Sequence, residues 1–111
     1  MNSSQIKFKI TLDENHVPTE MEWEATEAGE KSDCKAALIS IWDAKENNTM
    51  KIDLWTKDMM VDEMKRFFHQ TLLTMADSFE RATGEQNMAA DMRDFSAHFA
   101  EKMNLTSNQS N

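Results

Sequence analysis

Ile6-Lys7-Phe8-Lys9-Ile10-Thr11-Leu12 and Glu20-Met21-Glu22-Trp23-Glu24-Ala25, separated by the turn-rich Asp13-Glu14-Asn15-His16-Val17-Pro18, decide the fold of this chain. In both segments apolar and polar residues alternate with period two, the signature of strands with one face buried. Paired antiparallel so that partner numbers sum to 31, they set Phe8 opposite Trp23 and Ile10 opposite Met21. The same register sets Lys7 opposite Glu24 and Lys9 opposite Glu22. Both faces agree, and a slip of one residue would spoil both. The chain begins as a hairpin.

Outward from it, residues 26–33 are polar and carry Gly29, which predicts a loop. Strands are expected at about 35–43 and 49–56, joined through Lys45-Glu46-Asn47-Asn48. A register summing to 93 would pair Ile41 with Ile52 and Ile39 with Leu54. The opposite face then holds Leu38, Ser40 and Trp42 against Trp55, Asp53 and Lys51.

Beyond Trp55 the period becomes helical. Val61, Met64, Phe68, Leu72, Met75 and Phe79 recur at steps of three and four, with Asp58 as the expected N-cap and Gly84 as the stop. A second helix, capped by Asn87, would present Met88, Met92, Phe95, Phe99 and Met103. These elements predict an α+β chain: a four-stranded antiparallel sheet with two C-terminal helices packed on one face, a two-layer sandwich. Residues 1–105 form the expected single domain and 106–111 a flexible tail.

Composition narrows the function. The 111 residues carry 12 Lys and Arg against 20 Asp and Glu, a net charge of −8. An acidic chain lacks the basic face a nucleic-acid binder needs, and it has no apolar run long enough for a membrane span. Its N-terminal lysines interrupt any signal-like apolar core, so a cytoplasmic protein is expected. One cysteine, Cys34, rules out an internal disulfide framework and any CxxC site. Two glycines leave little for a phosphate-cradling loop.

The remaining chemistry is sparse. Asp94, His98 and Glu101 could share one side of a helix, but a solvated helix surface explains that spacing better than a metal site. Cys34 has no sequence-local base to activate it. No cofactor, metal or catalytic residue is expected, and the protein is not expected to be an enzyme. The outer face of the second hairpin carries the strongest signal outside the core. Leu38, Trp42 and Trp55 point away from the face that needs the helices, with Lys51 and Asp53 among them and Met59 just beyond. A self-association or partner surface is expected there, most simply a two-fold dimer.

Several stretches are similar to one family. Ile52-Asp53-Leu54-Trp55-Thr56-Lys57-Asp58-Met59, Val61-Asp62-Glu63-Met64-Lys65 and Phe67-Phe68-His69-Gln70-Thr71-Leu72 resemble the GldC family of gliding motility-associated proteins. So do Ile6-Lys7-Phe8, Leu12-Asp13-Glu14-Asn15 and Ser40-Ile41-Trp42-Asp43. The resemblance implies a small soluble protein of gliding Bacteroidetes, an accessory of surface motility associated with the lipoprotein GldB, without known enzymatic activity. It brings no catalytic residues. The expected role is a non-catalytic adaptor acting through protein–protein contacts. The alternative is a chaperone for exported motility or secretion-system proteins, since four strands, two helices and an acidic surface are similar to the SecB export chaperone in layout alone.

Overall fold

The computed structural model describes residues 2–26 and 29–105. Five strands precede two helices: β1 (Ile6–Leu12), β2 (Pro18–Ala25), β3 (Glu30–Cys34), β4 (Ala36–Asp43), β5 (Asn48–Trp55), α1 (Val61–Thr83) and α2 (Gln86–Lys102). The class is α+β, with antiparallel sheets and two C-terminal helices. The chain clusters into a strand-bearing unit ending at Met59 and a helical unit beginning at Met60. The tail expected at 106–111 lies outside the described residues.

The single four-stranded sheet is corrected to two sheets, β1-β2-β3 and β4-β5. The added strand, β3, occupies the second half of the expected 26–33 loop, of which residues 27 and 28 lie outside the described residues. It pairs with the second edge of β2, Cys34 against Met21 and Lys31 against Glu24. A short, charged strand at a sheet edge shows no hydrophobic alternation, so it reads as loop. Lys35 then bends the chain out of β3 and into β4.

The first hairpin pairs as expected from Ile6↔Ala25 to Thr11↔Glu20, with an irregularity only at Leu12. The second does not. Its partners sum to 91, setting Ile39 against Ile52, Ile41 against Met50 and Trp42 against Thr49. The turn explains the difference. Asp43 Oδ1 accepts the Lys45 N–H at 2.8 Å, its carbonyl accepts the Asn47 N–H at 2.9 Å, and Asn47 is left-handed at φ 55°. That closure fixes the loop and hence the register. A shift of two keeps each side chain on its face, so alternation alone could not detect it.

Asp13 organises the first turn in the same way. Its Oδ1 accepts the N–H groups of Asn15 at 2.8 Å and Val17 at 3.0 Å, and its Oδ2 pairs with Lys57 Nζ at 3.0 Å. The Lys57 N–H also donates to the Pro18 carbonyl at 2.9 Å, strapping the exit of β5 to the start of β2. The Val17 N–H, the Lys57 ammonium and the Asn15 N–H together hold the Asp13 carboxyl below its ordinary range. A depressed carboxylate stabilises the fold above its unfolded pKa of about 4, and that contribution is lost as pH falls through the folded value. Asp13→Asn should therefore flatten the acid side of the stability curve. Denaturant midpoints across the acid range check this, and parallel wild-type and variant curves would refute it.

In the helices two caps are corrected. Met60, not Asp58, precedes α1, and its N–H donates to Glu63 Oε1 at 2.9 Å. Asp58 instead accepts the buried Thr56 hydroxyl at 2.6 Å. Glu85 rather than Asn87 stands at the N-cap position of α2, without a side-chain capping bond, so Asn87 falls inside the helix. Gly84 does end α1, at φ 74°, donating its N–H to the Glu80 carbonyl. The two helices pack together through small residues: Ala76, Ala89, Ser96 and Ala100 are all but inaccessible.

Candidate functional site

The face proposed by the sequence is built by β4 and β5. Along β4 it carries Ala36, Leu38, Ser40 and Trp42, and along β5 the facing Trp55, Asp53, Lys51 and Thr49. Trp42 is 65% exposed and Trp55 52%, Leu38 is half-buried, and Lys51 and Asp53 are exposed. Lys51 Nζ lies 3.6 Å from Asp53 Oδ2, an ion pair two residues apart on one strand face. Met59 is not part of this pleat. It lies past the end of β5, half-buried, with its N–H on the Thr56 carbonyl.

The register changes the shape of this surface. Trp42 faces Thr49, six residues from Trp55 on β5, which places the two indoles about 20 Å apart along the hairpin. Between them run Leu38, Ser40 and the Lys51–Asp53 pair. The result is a two-anchor strip with a polar middle. An indole offers broad apolar area and one N–H donor, and an ion pair between two such anchors orients a partner more than it binds one.

The reverse face of the same hairpin is open over its far half, while Ala37 at its base is buried and Ile39 and Leu54 are half-buried. Ile41 and Ile52, which alternation assigned to the inner side, and Met50 beside them are all about half exposed. Sequence reasoning missed this, because alternation shows which residues share a face and not what covers it.

A second concavity, also missed, lies within the strand-bearing unit. It is a cleft of about 280 Å³ lined by Thr19, Glu20, Asp33, Cys34, Lys35 and Asp58, among others. Burial and the neighbouring Asp33 push the Cys34 thiol up, away from the thiolate a nucleophile requires. The buried Thr56 hydroxyl is spent on Asp58.

The helical histidines sit against phenyl rings. The His98 ring lies 6.1 Å from that of Phe95, and His69 stacks on Phe99 at 6.4 Å. Among the described residues no group of three His, Cys, Asp or Glu side chains could hold a metal ion, so Asp94, His98 and Glu101 do not converge. Among the same residues no helix is long and apolar enough to cross a membrane, which leaves β-barrels unaddressed.

The sequence model of the family described as gliding motility-associated protein GldC-like covers residues 18–105, from the first residue of β2 to just past α2. No curated protein and no solved structure matches the chain.

Proposed function

The chain belongs to the GldC-like family of gliding motility-associated proteins, and from that premise we propose that it is a non-catalytic adaptor of the gliding machinery. It works from the cytoplasm through protein–protein contacts, with neither nucleic acid nor membrane insertion. The observation that carries this reading is the strip bounded by Trp42 and Trp55, two largely exposed indoles on a face with no other evident use. Tryptophan is enriched among the few residues that dominate binding energy, and two such anchors suit a protein partner. The partner is a gliding-machinery protein, for which the lipoprotein GldB is the first choice.

Titration of the full chain against the soluble portion of GldB tests this. Truncating an anchor of this kind typically costs at least about 2 kcal/mol, so Trp42→Ala and Trp55→Ala should each weaken binding by about 30-fold or more. Absence of binding would overturn the choice of partner. Undiminished binding by the doubly substituted chain would overturn the choice of surface.

The chaperone reading has one observation in its favour. Ile41, Met50 and Ile52 leave the far half of the reverse of the same hairpin apolar and open, which an adaptor with one docking strip does not require. Suppressed aggregation of an unrelated unfolded protein at stoichiometric ratio would favour it. An adaptor would leave that aggregation unchanged.

A further inference from the structure

The helical unit divides sharply into two faces. On one, Arg93 of α2 reaches across to Asp77 at 2.9 Å and Glu80 at 2.8 Å of α1, so charge is gathered and paired there. On the other, α1 presents Phe68, Leu72, Met75 and Phe79, at steps of four, three and four. Met88, Met92, Phe95 and Phe99 on α2 repeat the same steps. Phe68, Met75, Met88 and Phe95 each stay 42–54% exposed, while the seam between the helices is filled by alanines and Ser96. Between the two rows lies an apolar groove of about 280 Å³, lined by Leu72, Met88, Met92 and Phe95, with Asp91 at its rim.

We infer that two copies of this chain associate through this face, each α1–α2 hairpin supplying half of a four-helix bundle about a two-fold axis. Three observations select a second copy as the occupant. Steps of four, three and four are the heptad spacing by which helices pack knobs into holes on other helices, and both helices of the hairpin carry it. The face is also self-complementary. It presents exposed phenyl rings and a groove of matching apolar character, as an isologous contact requires. Its size agrees as well: the 17 residues of α2 run about 25 Å, and two helices side by side span about 20 Å. That footprint is about 500 Å² in projection, and the relief of its side chains brings its accessible area nearer the roughly 800 Å² that each partner gives to a standard interface. Alanines at the seam let the two helices of one copy approach closely, which turns the larger rings outward toward the mate.

This dimer surface is separate from the Trp42–Trp55 strip, so the two readings fail independently. Sedimentation of the full chain up to about 100 μM should show a dimer. Phe95→Asp and Met75→Asp should each raise its dissociation constant by about 100-fold or more with helical circular dichroism retained. The Trp42→Asp, Trp55→Asp chain should dimerise as the wild type does. A Met88→Cys substitution in a Cys34→Ser chain gives a second measurement without a charge in the face. Its thiol should be alkylated more slowly at dimer-forming concentrations than on dilution. A wild type that stays monomeric overturns the inference. So does a dimer indifferent to both aspartates, or one that dissociates only when the tryptophans are changed.

Discussion

Met21→Ala is expected to cost about 2–5 kcal/mol of stability, the range for emptying a fully buried methionine site. Met21 is 2% exposed, the largest side chain buried to that degree among the described residues. It lies at the middle of the three-stranded sheet, with Ile10 on one side and Cys34 on the other. The thioether leaves a void bounded by two strands whose backbones are fixed by their ladders, so the site cannot collapse to fill it. Domains are stable by only about 5–15 kcal/mol, so this one change removes a large share. Trp42→Ala, on an open face, should lie within about 0.5 kcal/mol of wild type despite deleting a larger side chain. Denaturant unfolding of both variants checks the pair. Equal costs would mean that Trp42 is packed in solution or that Met21 is not.

Ala76→Leu should destabilise the helical unit by about 1–3 kcal/mol through overpacking. Ala76 has no accessible surface and sits in the seam where α1 meets α2. An isobutyl group there must push the helices apart, moving Arg93 away from Asp77 and Glu80 and opening the contacts of Ala89 and Ser96. Ala82→Leu, the same substitution at an exposed position of the same helix, makes the matched comparison, with an expected effect near zero. Unfolding followed by helical circular dichroism separates the two. A neutral Ala76→Leu would show that the seam has room to spare.

These two sites mark the limits of what the sequence discloses. Met21 was legible as core because its alternation with Glu20 and Glu22 fixes its side, and because charges across β1 demand the same register. Ala76 was not legible. A small residue raises no hydrophobic period, so the helix pattern pointed to the large Phe and Met stripe and not to the alanines by which the helices touch. The same logic separates the hairpins. Two-faced chemical agreement placed the first to the residue, whereas the second was displaced by two because Asp43 sets its turn and a displacement of two leaves every face intact. β3 escaped notice because an edge strand with charges on it resembles a loop. For the candidate surface, the sequence put Leu38, Trp42, Lys51, Asp53 and Trp55 on one side, as found. It could not give the 20 Å separation of the tryptophans, which depends on the register.

The strand and helix pairings have a consequence for synthesis on the ribosome. β1 pairs with β2, β2 with β3, β4 with β5, and α1 packs against α2, each a neighbour or near-neighbour along the chain. Hairpins close in about 1–10 μs, whereas a ribosome adds only about 5–20 residues each second. Each pair can therefore be complete long before its successor emerges from the exit tunnel. Within the strand-bearing unit, the Lys57 strap to Asp13 and Pro18 must wait until β5 is out, and it closes last. Until then β2 already has both its partners, and β4 waits only for the strand that follows it. The nascent chain spends little time with an unpaired strand held open for a distant mate.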